Sequence, residues 1–449
     1  MDTLACTLAR WAAQLSFGDL PQRTVHEVKR RVLDSIGCAL GAYRSAPAVI
    51  AREVALSAAD APGSTVWGTT QRSRPELAAF ANGAMVRYLD YNDTYLSLEP
   101  AHPSDNIPAA AAVAQAAGLR GTDLILAAVI GYEVQCRQCD AASLRAHGWD
   151  HVVYGALSTA LLAGKLWGLD EDRLEHALGL AGVCNIATRQ TRTGQISMWK
   201  ACAFSNAARN GIFAADLARR GMTGPHEIYE GPKGIFNQLT GPFSLTLGRD
   251  DFMIDRTYIK FWPAEYHGQS AIDAMLQLRP EIGGRPVKSI RIDSFEAAVS
   301  IIGSEPEKWR PTSRETADHS LPYCVAVALL DGDVTLNSFD EPRLADPRIL
   351  DLLDKTTIAE DPALNEGYPE GIPNRLTVTL EDGTVLDKRV DFPRGHARNP
   401  MTDDEVVAKF RRLAEGVVSD ATADELIDRC MSLEQQPDLA PLFEFEVLT

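Results

Sequence analysis

The chain has 449 residues, 45% of them apolar and 23% charged, ordinary globular values that exclude disorder over most of its length. Domains usually run to roughly 100–200 residues, so the length implies more than one. With 44 Lys and Arg against 61 Asp and Glu the net charge is −17. That balance repels a polyanion and excludes nucleic-acid binding without a local basic face, and the longest basic run is Lys29-Arg30-Arg31.

In chain order, Leu4 to Phe17 reads as an amphipathic helix. It has neither a basic leading region nor a small-residue cleavage site, so it is not a targeting segment. No uncharged apolar stretch reaches about 18 residues, so no membrane span is expected. Eight scattered cysteines read as the reduced thiols of a cytoplasmic protein. Cys136 and Cys139 form the one C-x-x-C pair. It lies in a helical pattern without a second pair, so it reads as packing rather than as a zinc site.

Pro75 opens a helix to about Tyr91. Ser104 to Gly118 follows, then Thr122 to Ala142 with Thr122 as N-cap, and His151 to Gly168 ending on a glycine. Glu171 to Ala187 and Met198 to Arg220 complete the run. Several of these helices are apolar around most of their circumference, which requires burial in a layered bundle.

Near residue 256 the pattern changes. Val287 to Asp293 alternates like a strand. Arg375 to Leu380 and Thr384 to Val390 flank an Asp-Gly turn at 382–383, a hairpin signature. Ser320 to Leu330 and Pro347 to Leu353 are helical between them, and Thr402 to Glu415 and Ala423 to Leu433 are helical after them. The expected fold is mostly α with an α+β second domain. A large helical bundle domain covers 1–256, a smaller α+β domain 257–397, and C-terminal helices over 398–449 return to the bundle.

Five segments carry chemistry-bearing side chains. Asp90 and Thr94 stand four apart and share a face if the helix persists that far. His102 stands just before a helix start, where its charge and the helix dipole could hold a carboxylate, with Ser104 and Asp105 as simple caps in the plainer reading. His151 opens an apolar helix, as a cap or as a functional group. Lys200, beside Trp199 at the start of an alanine-rich helix, either snorkels to solvent or meets an anion. His267 lies in a Lys260 to His267 segment at the domain junction, a favoured place for ligands. His319 is a cap candidate for the helix containing Tyr323. The turns at 221–225 and 395–400 read as turns first. No dinucleotide fingerprint, P-loop, nucleophile elbow or iron–sulfur cysteine set is present. What remains is an acid–base set with cationic groups for carboxylates, without a visible cofactor or metal.

Taken in order, these segments resemble the MmgE/PrpD family. They are LDYNDT with HPSDNIPAA, WDHV before a helix ending AGKLWGL, MWKACAFSNAARNGIFAADLARRGMTGP with EGPKGIF, KFWPAEYHGQSAID, RETADHSLPYCVAVALLDG and GHARNPMT. The resemblance covers nearly the whole chain. In WKACAF, AEYHGQSA and DHSLPY it is closer to the 2-methylcitrate dehydratase and MmgE branch than to the decarboxylases.

The resemblance implies a large helical domain closed by an α+β lid, usually in a homodimer. It also implies acid–base chemistry on a small polycarboxylate without an iron–sulfur cluster. By motif it assigns the pocket to Asp90, Thr94, His102, His151, Lys200, His267 and Tyr323. The implied reaction is dehydration of a 2-hydroxy tricarboxylate such as 2-methylcitrate, with Lys200, His102 and His267 as carboxylate contacts. His151 or Asp90 would be the base, and Tyr323 or a protonated histidine the acid. Epimerisation or decarboxylation of a related polycarboxylate, and a non-catalytic binding protein, are the alternatives.

Overall fold

The computed structural model describes residues 2–185, 187–193 and 196–448. Met1, Ile186, Gly194, Gln195 and Thr449 lie outside the described residues, and the helix expected to reach Ala187 ends at Cys184, with Asn185 extended. The chain forms two compact units, Met1–Thr257 with Thr402–Thr449, and Tyr258–Met401.

The first unit begins with α1 (Leu4–Gln14), capped by the Thr3 hydroxyl, α2 (Gln22–Ala42) and α3 (Ala46–Leu56). A two-stranded antiparallel ribbon follows, β1 (Ala59–Thr65) with β2 (Arg72–Ser73). It is an exception within a domain expected to be a helical bundle, and Pro62-Gly63 interrupts any helical period there. Then come α4 (Pro75–Tyr88), α5 (Ile107–Ala116), α6 (Gly121–Ala141), α7 (Val152–Leu166), α8 (Glu171–Cys184) and α9 (Trp199–Arg219). Every residue of α5 from Ile107 to Gln115 is buried, as is α7 from Val152 to Gly164, so both run through the core. Cys136 and Cys139 are buried packing residues of α6.

The ends of three of these helices position the site. A Cβ at Gly155 of α7 would strike the Phe204 ring of α9, and one at Gly211 of α9 would strike Thr159 and the Ala156 carbonyl. Contacts therefore climb both helices in the same direction, and α7 and α9 start at the same end of the bundle. Gly83 of α4 meets Ser205 of α9, and Asp90, just past the end of α4, lies 3.7 Å from Lys200 at the start of α9, so α4 runs the other way and finishes where those two begin.

The second unit is α+β. It comprises α10 (Gln269–Ile282), β3 (Val287–Ser294), α11 (Leu321–Asp331), α12 (Pro347–Asp354), β4 (Thr356–Glu360), β5 (Asn374–Leu380) and β6 (Val385–Val390). The sheet order is β4-β3-β5-β6, with β3 and β4 parallel and the other pairs antiparallel. Val287, Ile290 and Ile292 of β3 and Leu376, Val378 and Leu380 of β5 face the core. Asp382 accepts the Thr384 N–H, and Gly383 takes φ +86° in the hairpin turn. Ser320, not His319, caps α11.

The tail returns to the first unit as α13 (Asp403–Ala414) and α14 (Asp420–Met431), both packed on α2. The Lys29-Arg30-Arg31 run is not a surface patch. All three are buried, Lys29 beside Glu434 at 3.1 Å and Arg30 beside Glu27 at 2.6 Å, while Arg31 donates to the Thr257 carbonyl at 2.9 Å. Among the described residues no helix is long and apolar enough to cross a membrane. Two finer expectations are corrected. Arg120 rather than Thr122 stands at the N-cap of α6, and α4 ends at Tyr88 instead of running to Tyr91.

Candidate active site

Because α4 stops early, Asp90 and Thr94 do not share a helical face. Asp90 is the one described non-glycine residue with positive φ, +51°, a left-handed conformation that Asp tolerates better than most residues. The chain then runs through a buried loop to His102 and a 3-10 turn, Pro103–Asn106, that leads into α5. Asn106 locks this turn, donating to Gln135 of α6 at 2.7 Å and accepting from the Ser158 hydroxyl of α7 at 2.7 Å. Thr94 donates its hydroxyl to the Ala101 carbonyl at 3.1 Å.

At the centre lies Arg87, in the last turn of α4 and 3% exposed. One nitrogen of its guanidinium pairs with Asp90 and a second donates to Nε2 of His102 at 2.9 Å. Nε stands 3.9 Å from Asp105 Oδ2. Asp90 has Lys200 as a second cation, with Nζ 3.7 Å away. Nδ1 of His102 faces the Asp93 carbonyl at 2.9 Å. Asp93 in turn accepts from the Ser104 N–H at 2.8 Å and from the Tyr132 hydroxyl at 2.7 Å, and Asn92 bridges Ser104 and Asp105. Asp105 is therefore wired into the loop rather than merely capping a helix. Burial, only partly offset by Arg87, pushes its carboxyl up to about 7. From behind, Lys409 of α13 donates to the Tyr91 carbonyl at 2.7 Å and pairs with Asp34 at 2.7 Å.

His151 stands at the start of α7, its ring 6.1 Å from that of His102. Nδ1 lies 3.0 Å from Asp150 Oδ1, and Asp150 Oδ2 lies 2.8 Å from Arg192 Nε. Nε2 is buried with no hydrogen-bond partner among the described residues. Burial, with Arg192 adding to it, outweighs the pull of Asp150 and lowers the imidazole to about 3. Burial alone would raise Asp150, but Arg192 and His151 hold it below the ordinary carboxylate value. His151 is thus a neutral imidazole with an unengaged lone pair, oriented by a carboxylate whose charge an arginine balances.

Asp90, His102, His151 and Lys200 therefore gather at one end of the first unit, with Thr94 on the same loop. His267 and Tyr323 belong to the second unit. His267 sits 2.8 Å from Glu265 Oε1 and 3.4 Å from the Tyr368 hydroxyl. Glu265 would be raised by burial, but His267, with His319 and Lys260, brings it down to about 2. Tyr323 is fully buried, its hydroxyl donates to the Ser338 carbonyl at 2.8 Å, and burial raises it. Its hydroxyl proton therefore faces a backbone carbonyl rather than another side chain.

His102 was expected to be a cationic contact. Its Nε2 faces a guanidinium nitrogen of Arg87, a residue the sequence reading passed over. The signal was visible, since Arg87 is the one charged residue in the helical segment AAFANGAMVRY. Asp150 adjoins His151 and was equally legible, whereas Arg192 comes from a loop with no pattern of its own. Among the described residues no group of three or more His, Cys, Asp or Glu is placed to hold a metal ion.

A helical unit thus gathers a neutral histidine and fixed cations at the shared end of three helices, and an α+β unit follows it in the chain. Residues 6–247 match the MmgE/PrpD N-terminal domain and residues 262–433 the MmgE/PrpD C-terminal domain. The chain belongs to the MmgE/PrpD family. It is 34% identical over 397 residues to the 2-methylcitrate dehydratase of Cupriavidus necator, covering 82% of this chain and 81% of that protein. It is also 28% identical to the cis-aconitate decarboxylase of Aspergillus terreus, covering 97% and 94%, and 29% identical to that of Homo sapiens, covering 95% and 91%.

Proposed function

We propose that this chain is a hydro-lyase that removes water from a 2-hydroxy tricarboxylate such as 2-methylcitrate, giving 2-methylaconitate. The observation that carries this reading is the buried Nε2 of neutral His151, without a hydrogen-bond partner among the described residues, at the same end of the unit as Lys200, Arg87 and Asp90. A general base needs a lone pair that the protein has not already engaged, in the correct protonation state. His151 has one, whereas Asp90 is held between two cations. In the proposed step Nε2 takes a proton from the carbon next to a carboxylate, the electron pair of that C–H bond forms the double bond, and the C–O bond breaks. The hydroxyl leaves as water with a proton from an acidic group. Tyr323 is an unsuitable donor, because its hydroxyl donates to the Ser338 carbonyl, so His151, protonated by the first step, returns that proton to the leaving hydroxyl. Lys200 contacts a substrate carboxylate, and His267, beside Glu265, is a second such contact.

The 34% identity to a 2-methylcitrate dehydratase supports dehydration. The match over 97% of this chain to a cis-aconitate decarboxylase supports decarboxylation as the second reading. A cytoplasmic homodimer belongs to the same proposal and rests on the family resemblance; light scattering tests the assembly. Incubation with 2-methylcitrate tests the chemistry. Dehydration gives a conjugated product with ultraviolet absorbance, and decarboxylation releases carbon dioxide. Epimerisation exchanges a carbon-bound proton for deuterium without new absorbance, and a binding protein does none of these.

A further inference from the structure

We propose that Arg87 is a positioning residue of this site, one that locks His102 in the neutral, Nδ1-protonated form and supplies the fixed positive charge a histidine would lose. The inference rests on the functional reading above only for what that charge is for.

The argument follows from donors and acceptors. Nδ1 of His102 faces the carbonyl of Asp93 at 2.9 Å, and a carbonyl only accepts. Nε2 faces a guanidinium nitrogen of Arg87 at 2.9 Å, and a guanidinium only donates. The proton must sit on Nδ1 and the lone pair on Nε2. A second proton on Nε2 would set N–H against N–H and place two cations in contact where water is scarce. Arg87 cannot yield, since it never deprotonates in the working range. Nor is it free to swing away, because the same guanidinium pairs with Asp90 and lies 3.9 Å from Asp105, with the side chain 3% exposed.

The charged and titratable groups around His102 come from every side. Arg87 arrives from α4, Asp90 from the following loop with Oδ1 3.8 Å from Nε2, and His151 from the start of α7. Asp105 stands behind Arg87, and Lys200 behind Asp90. The consequence is a site whose cations, Arg87 and Lys200, persist where an imidazolium with an ordinary value near about 6.5 would already have discharged. A polycarboxylate would meet the same fixed charge on both sides of neutrality.

The test is two-bond proton–nitrogen NMR on the whole protein labelled with 15N-histidine, with the His102 signals assigned by their loss in His102→Asn. In wild type His102 should show one neutral tautomer, protonated at Nδ1, unchanged from about pH 5 to about pH 8. In Arg87→Gln it should titrate near its ordinary value. The kcat/KM for 2-methylcitrate should fall about tenfold or more and gain an acidic limb that His102→Asn removes. A wild-type His102 protonated at Nε2, or titrating within that range, overturns the proposal, and needs no variant to fold. If wild type does not turn over 2-methylcitrate, the functional reading falls and the spectra still decide the role of Arg87.

Discussion

Replacing Lys200 by alanine separates function from stability at one position. The ammonium lies 3.7 Å from Asp90, on a side chain 12% exposed at the first turn of α9. Asp90 keeps its pairing with Arg87 when the lysine is gone, so no buried carboxylate is stranded. Alanine is also the better helix former. The expected change in folding stability is therefore within about 1 kcal/mol. A charge-assisted contact to a substrate carboxylate is worth about 1.5–3 kcal/mol, so its loss in the transition state should slow turnover roughly ten- to a hundredfold. Lys200→Arg should restore only part, since a planar guanidinium is not a compact ammonium. Steady-state kinetics on 2-methylcitrate, citrate and cis-aconitate, with circular dichroism melts alongside, give both quantities. Wild-type kinetics in Lys200→Ala, or an activity loss matched by unfolding, would refute the reasoning.

Two pH effects of opposite sign are expected. His151 is lowered to about 3 in the folded state, so between there and its unfolded value near about 6.5 only the unfolded chain takes up a proton. Stability should fall as pH drops through that window, by up to about 1.4 kcal/mol per unit, and His151→Asn should lessen the slope in urea titrations. Asp105, raised to about 7, holds a proton when folded that the unfolded chain has released. Its contribution declines as pH rises from about 4 to 7, and Asp105→Asn should flatten that part of the profile. Lys409→Met strands the buried Asp34 and should cost about 3–5 kcal/mol in chemical denaturation, with much of it recovered when Asp34→Leu is added. Exhaustive chelation should leave turnover intact; activity lost to EDTA and restored by one divalent metal would contradict this.

Periodicity marked most helices because their burial is repetitive. Pro75 and Thr402 opened helices within a residue of the observed starts, and the Asp-Gly turn marked the β5–β6 hairpin. The loop after α4 was harder to read. Nothing in LDYNDT alone says that the helix stops at Tyr88 and that Asp90 turns left-handed, because that geometry is imposed by partners far along the chain, among them Lys409 and Tyr132. His102, His151 and Lys200 could be nominated as isolated polar residues at helix starts. The charge state of His151 depends on Arg192, which a loop without a pattern of its own brings near, and His102 meets Arg87 only because α4 ends beside the starts of α7 and α9. Tyr323 shows the opposite limit, a residue plausible by motif whose hydroxyl the fold engages elsewhere.

The decisive experiment follows 2-methylcitrate in deuterated buffer with wild type and His151→Asn side by side, recording ultraviolet absorbance, released carbon dioxide and deuterium at carbon. Wild type should form the conjugated product without carbon dioxide, and His151→Asn should do so at least about a hundredfold more slowly while remaining folded. Undiminished turnover by His151→Asn would remove the proposed base. Carbon dioxide release, or deuterium exchange without new absorbance, would replace dehydration with another reaction.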